Sequence, residues 1–271
     1  MYDWKNTLSK NPKWNGSVWA HTVCETLSGV FGFRPEFLLT AGPGLLQTEA
    51  WIFKEWFPDI QVIGFEPQVD RYKNLKDSFP GTLMNNAIAA ESCMIEGFMG
   101  HLDGETDFKI STDLENQKNY IKQEIQAVSI DDVLRDKKAN GFVWLDIEGS
   151  ELNAVRGAVE SMLHEKIRAF SIELSFSDDR IEKTSMLIEM LCKFNYVAMG
   201  TSGPHTSELI NVMLGNKSVE TSYVAEIDAK KQIHQDVLFC LQPPTAQKLN
   251  NSMYESNDLY VKIILEGKHW C

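Results

Sequence analysis

The sequence contains no run of about 18 apolar residues, the length a helix needs to cross hydrocarbon, so no transmembrane helix is expected. Its opening stretch, MYDWKNTLSKNPKWNG, is polar and lacks the apolar segment of a signal peptide. Cysteine is scarce: five residues (Cys24, Cys93, Cys192, Cys240, Cys271), odd in number, far apart and without a CxxC pair. That spacing argues against a disulfide framework and a cysteine zinc site, and a reducing cytoplasm is the simplest compartment. The six histidines show no metal-ligand spacing, so no metal is expected. Basic residues are also short. Lys and Arg number 26 against 38 Asp and Glu, a net charge of −12 with a pI near 5.0. Such a chain lacks the cations that displace counterions from nucleic-acid phosphates or dock on an anionic membrane. It can still tolerate a small ligand with a positive centre.

What is present is globular. The chain has 271 residues, 43% apolar and 24% charged, enough for a sizeable core. The best division is an N-terminal arm over 1–35, a main domain over 36–242 and a C-terminal extension over 243–271. The arm carries Trp4, Trp14, Trp19, Phe31 and Phe33, which suit core cover. From residue 36 short apolar runs alternate with amphipathic segments. EFLLTAG (36–42), QVIGFEP (61–67) and TLMNNAIA (82–89) read as strands, with helices predicted over 48–57 and 69–79 between them. This β-α-β-α-β order is that of a parallel sheet with right-handed crossovers. The polar stretch 90–126 reads as an edge element, with MIEGFMG (94–100) as one strand, plus a mobile loop. A second block repeats the alternation: strand 141–149, helix 150–163 with Ser150 as its N-cap, strand 167–176, helix 181–194, strand 195–200 and a late strand over 234–242. An added strand is expected over 260–267. Asp131 and Asp132 suit the first turn of a short helix, and His164 suits a helix end.

Three features point to a ligand. The turn Thr40-Ala41-Gly42-Pro43-Gly44 offers a close backbone approach and a helix start. Glu66 ends the second strand 22 residues after Gly44, the spacing at which doubly wound folds place an acid on ribose hydroxyls. Position 47 is glutamine, so the turn is not GxGxxG. That weakens pyrophosphate recognition and a nicotinamide oxidoreductase. It favours a cofactor with one nucleoside and no phosphate, and S-adenosylmethionine fits. The third feature is Asp146-Ile147-Glu148-Gly149-Ser150-Glu151, at the rim where open α/β sheets bind ligands. Asp146 directly follows an apolar run and is the candidate general base, with Glu148 and Glu173 as helpers. Each acid also has a structural reading, as a dipole partner or a solvated loop carboxylate.

These residues together resemble the FkbM family of S-adenosylmethionine-dependent methyltransferases. The resemblance rests on Phe65-Glu66-Pro67 with RYKNL (71–75), Asn85-Asn86-Ala87-Ile88-Ala89, SIDDVL (129–134) and above all LDIEGSELNAVRGA (145–158), followed by SIEL (171–174). It implies an α/β, class I methyltransferase-like (Rossmann-like) fold: a mostly parallel seven-stranded sheet, one strand antiparallel, with helices on both faces. It implies methyl transfer to a hydroxyl oxygen of a sugar or other small molecule. It assigns Gly42 and Gly44 to the methionine end of the cofactor, Glu66 to the ribose and Asn86-Ala87 to the adenine neighbourhood. Two positions depart from the family. Thr40 stands where an aspartate is usual, and a threonine cannot pair with the cofactor's ammonium as a carboxylate can. Glu49 is the acid placed to compensate. Trp144 stands where lysine is common. The altered first motif leaves a second reading open, a methyltransferase fold that has lost catalysis and serves as a binding or interaction module. Acceptor specificity is expected in 1–35, 90–126 and 201–233; within the last, His205 reads first as a solvent-exposed loop residue and second as one that could reach a site.

Overall fold

The computed structural model describes residues 18–43, 47–100, 108–109, 120–138, 140–175, 180–201 and 234–241. The expectations for Trp4, Trp14, Gly44, His205 and the strand at 260–267 lie outside them. The chain divides into two compact units between Arg168 and Ala169.

The first unit opens with helix α1 (Val18–Glu25), prolonged by a π-helical turn over Thr26–Val30. Strand β1 (Phe37–Ala41), helix α2 (Thr48–Trp56), strand β2 (Gln61–Phe65), helix α3 (Val69–Leu75) and strand β3 (Thr82–Met84) follow. Strand β4 (Ala87–Ile88) comes next, then β5 (Met94–Gly100), β6 (Phe108–Lys109), β7 (Tyr120–Val128), α4 (Ile130–Val133) and β8 (Gly141–Leu145). Helices α5 (Glu151–Arg156) and α6 (Val159–Leu163) close the unit. Strand β1 pairs in parallel with β2 and β8, and β2 with β3. All five residues of β1 and of β8 are buried. A parallel strand covered on both faces needs an unbroken apolar run, and both sequences supply one. Helix α2 buries Ala50, Ile52 and Phe53, and the Phe53 ring lies 4.9 Å from Phe142 and 6.2 Å from Trp144. Helix α1 is pinned to α2 where Trp56 Nε1 donates to His21 Nδ1 at 3.0 Å.

Three expectations change in this unit. The run 82–89 is two strands rather than one: β3 joins the main sheet, while β4 joins a second sheet of order β4-β7-β5-β6. Asn85 makes the break, its Nδ2 donating to the carbonyls of Glu66 at 2.8 Å and Pro67 at 3.1 Å. Within 90–126 the expected strand 94–100 is β5, but residues 120–126, expected to be loop, are strand as well, in β7. Strands β5 and β7 pair antiparallel from Met94–Gln126 to Gly100–Tyr120. Ile125 and Ala127 point inward while Lys122, Glu124 and Gln126 are exposed, so the polar residues are the outer face of a half-buried strand. A cross-strand ion pair, Lys122 to Glu96 at 2.8 Å, lies on that face. Finally, the helix expected over 150–163 is broken at Gly157. A Cβ there would lie 2.3 Å from the Ala89 carbonyl oxygen, so only glycine allows the approach.

Asp131 does more than favour its own helix. Its carboxylate accepts from the backbone N–H of Ser161 at 2.7 Å and of Glu160 at 3.0 Å, capping α6 from another segment. Ala158, at the N-cap position of α6, has no side-chain acceptor to do so. His164 follows α6, its Nε2 3.7 Å from Glu160 Oε2.

In the second unit strand β9 (Ile167–Ser175, its first two residues preceding the boundary) is followed by α7 (Ile181–Lys193), β10 (Tyr196–Thr201) and β11 (His234–Leu241). Strand β11 runs antiparallel to both β9 and β10, with an irregularity between Ala198 and Gly200. Helix α7 buries Leu187, Ile188 and Leu191, and the Phe170 and Tyr196 rings lie 5.2 Å apart. The order of the seven strands is β10-β11-β9-β8-β1-β2-β3, with β11 the antiparallel member. This is the expected class I methyltransferase-like α/β fold. Among the described residues no helix is long and apolar enough to cross a membrane.

Replacing Asp131 by Ala leaves two orphan N–H groups at the start of α6. Thermal melting should fall by about 2–4 °C, the equivalent of about 1 kcal/mol. An unchanged melting temperature would show that solvent caps α6 equally well.

Candidate active site

The register of the first unit builds a rim. Ala41 is level with Phe65 on one side and Leu145 on the other. The next residue on each of the three strands is therefore Gly42, Glu66 and Asp146. Side by side, they mark the C-terminal edge where open α/β sheets hold ligands.

Gly42 is required at its place twice over. Its φ is +77°, and a Cβ would fall 1.7 Å from the Asp146 carbonyl oxygen, inside any possible contact. The Asp146 N–H in turn donates to Ala41 O at 3.1 Å. The turn that leaves β1 is thus pressed against the chain that leaves β8. Beyond it, Gln47 sits at the N-cap of α2 with a left-handed φ of 51°. Its side chain is buried: Nε2 donates to Ser78 Oγ at 3.1 Å, while Oε1 has no hydrogen-bond partner in the protein.

Thr40 is fully buried, and its hydroxyl donates to Glu49 Oε1 at 3.0 Å. Glu49 lies in the first turn of α2, where the helix dipole favours a carboxylate. Glu49, the acid expected to compensate for an uncharged Thr40, is therefore hydrogen-bonded to it.

Glu66 is 1% exposed. Its Oε1 accepts from the Gln68 N–H at 2.9 Å, and Arg71 lies 3.8 Å from Oε2. Burial raises its proton affinity above the usual carboxylate range, and the Gln68 N–H and the Arg71 guanidinium act against that rise. A carboxylate offers about four lone-pair sites, so these contacts leave capacity for a vicinal diol. Asn85, which the resemblance quoted without a role, bonds the carbonyls on either side of this loop and holds its shape. Asn86 is turned to the second sheet, donating to Gln126 O at 3.1 Å, and Ala87 is buried in β4.

Asp146 and Glu148 are half-buried, and their carboxylate oxygens lie within 4.8 Å of each other. Glu148 has a left-handed φ of 54° and Gly149 one of 98°, so the segment folds back on itself. Glu151 holds it there. Its Oε1 accepts from Gly149 N at 3.0 Å and Ile147 N at 3.2 Å, and the side chain is 8% exposed. This corrects the expected cap: Ser150 occupies the N-cap position, yet its side chain makes no capping bond. The carboxylate of Glu151 satisfies the loop amides instead, one charged oxygen accepting from both. Glu173 belongs to the second unit, half-buried in β9 opposite Asp236 of β11.

A family model described as the methyltransferase FkbM domain matches residues 48–198. No curated protein matches the chain. Among solved structures, the METTL16 methyltransferase domain is 9% identical with a TM-score of 0.43, covering 83% of this chain and 67% of that one. The plantazolicin methyltransferase BpumL in complex with SAH is 8% identical with a TM-score of 0.42, covering 88% of each chain. Precorrin-6y C5,15-methyltransferase from Geobacter metallireducens is 8% identical with a TM-score of 0.39, covering 83% of this chain and 87% of that one.

The burial of Glu66 has a stability consequence. Its folded proton affinity is raised, so the native state is favoured while the group is protonated and penalised as rising pH ionises it. Glu66→Gln is neutral throughout and should melt higher than the parent at pH 7.5. The gap should close below about pH 4, where the parent's carboxyl is protonated as well. A variant that melts lower at pH 7.5 would mean that the Arg71 contact outweighs the burial.

Proposed function

We propose that this chain, which belongs to the FkbM methyltransferase family, transfers the methyl group of S-adenosylmethionine to a hydroxyl oxygen of a small molecule or sugar. The observation that carries the reading is the rim itself: level strand ends bring Gly42, a buried Glu66 and Asp146 together. When bound, the cofactor supplies an electrophilic methyl carbon on a sulfonium sulfur. The protein's part is alignment and proton removal.

The donor set suits that ligand. Glu66, ionised and acceptor-only, matches a ribose diol, and its burial makes each hydrogen bond to it matter more than one in water. Glycine at 42 lets backbone rather than side chain meet the ligand's tail. The two carboxylates nearest the strand end, Asp146 and Glu148, have oxygens within 4.8 Å of each other and are proposed to meet the acceptor hydroxyl. Asp146 then takes the hydroxyl proton, or orients the hydroxyl, as the oxygen attacks. Glu173, on β9, is proposed as a further helper. With 38 acids against 26 bases, the chain as a whole suits a neutral or cationic acceptor better than a polyanion.

Calorimetry with S-adenosylmethionine and S-adenosylhomocysteine should detect both, and a panel of hydroxylated acceptors should accept labelled methyl. Asp146→Asn should lower kcat about 10²–10⁴-fold while leaving S-adenosylhomocysteine affinity within about twofold. Binding of neither cofactor would sink this reading and leave the binding-module alternative. Full activity in Asp146→Asn would remove the base assignment alone.

A further inference from the structure

Granted the methyltransferase reading above, in which Glu66 meets the cofactor's ribose, that acid must be held in one place. Hydrogen bonds weaken steeply with distance and angle, so a carboxylate that wanders by an ångström loses the diol. The Arg71 guanidinium, 3.8 Å from Oε2, is too far to hold it by a hydrogen bond. The firm contacts are made to the backbone around Glu66.

Both peptide groups of Glu66 are taken. Its N–H donates to Met84 O at 3.0 Å, which carries the β2–β3 pairing one residue past the end of β2. Its carbonyl accepts from Asn85 Nδ2 at 2.8 Å, and the same nitrogen donates to Pro67 O at 3.1 Å. Two successive carbonyls therefore converge on one side-chain amide. Carbonyls only accept, so it is the nitrogen of Asn85 that faces them. Proline has no N–H, which leaves the carbonyl as the backbone group by which residue 67 can be anchored. The next N–H, that of Gln68, closes the turn on Glu66 Oε1 at 2.9 Å. The carboxylate is thus fixed by the turn, and the turn by Asn85.

Asn85 is itself set from the other side. Residues 85 and 86 link β3 to β4, and Asn86 Nδ2 donates to Gln126 O of the second sheet at 3.1 Å. The two asparagines serve one sheet each. We infer that Asn85 is the positioning residue of Glu66, its amide fixing the turn that presents the carboxylate to the ribose. It acts through Glu66 and needs no contact with the cofactor. An amide suits the task because its NH2 carries two hydrogens, one for each carbonyl, where a hydroxyl carries one.

A double-mutant cycle read by calorimetry with S-adenosylhomocysteine tests this. Asn85→Ala should weaken binding about tenfold in the parent, and less than twofold further when Glu66→Gln is already present, because a misplaced acid no longer matters there. A merely structural asparagine would cost the same in both backgrounds, and that result overturns the assignment. So does unchanged affinity in Asn85→Ala. If Asn85→Ala melts too early to titrate, Asn85→Leu, which keeps the branched shape and supplies no donor, carries the same cycle. Should Glu66→Gln bind S-adenosylhomocysteine as tightly as the parent, the ribose role of Glu66 is wrong and this assignment falls with it, while the methyltransferase reading stands. A parent protein that does not bind S-adenosylhomocysteine overturns both.

Discussion

The candidate site depends on one close contact between two backbones. Gly42 lies against the carbonyl of Asp146, and the Asp146 N–H closes back on Ala41. A side chain at position 42 would push the turn after β1 away from the segment after β8. The strand ends would then no longer meet at one level, and Glu66 and Asp146 would no longer share a rim. Parallel register does the rest, because β1 stands between β2 and β8 and sets both.

Around that contact the molecule keeps several carboxylates in the half-buried zone, and each is held differently. Glu66 relies on a backbone N–H and a guanidinium at 3.8 Å, and burial still dominates. Glu151 is nearly buried but takes two loop amides, so it acts as a brace. Glu49 takes a threonine hydroxyl. Asp131, away from the rim, caps a helix that lacks its own cap. The difference between a site acid and a structural acid lies in what meets its lone pairs, since the side chains are chemically alike.

Much of this was readable in the chain. The unbroken apolar runs of β1 and β8 announce strands covered on both faces, and the glycine turn and Glu66 mark two strand ends that the register brings level. The motifs from Phe65 to Leu174 led to the FkbM family, and the family model covers residues 48–198. Other parts were not readable. The outward face of β7 is so polar that its period of two hid beneath its composition. The break at Gly157 follows from a neighbouring carbonyl that no local pattern reveals. Ser150 has every local credential of a cap, yet the loop's amides go to Glu151.

The sequence by itself determined the alternation of strands and helices, the glycine turn and the supply of acids, because periodicity and residue type are local properties of the chain. Tertiary structure alone decided which acid meets which donor. Asn85 rather than Asn86 supports the Glu66 loop, Asp131 caps a helix 28 residues away, and Glu49 meets Thr40 across nine residues. Such pairings depend on where packed elements bring side chains to within about 3 Å. Thr40, one residue before the end of the first strand, meets the Glu49 carboxylate from a helix that only folding brings alongside.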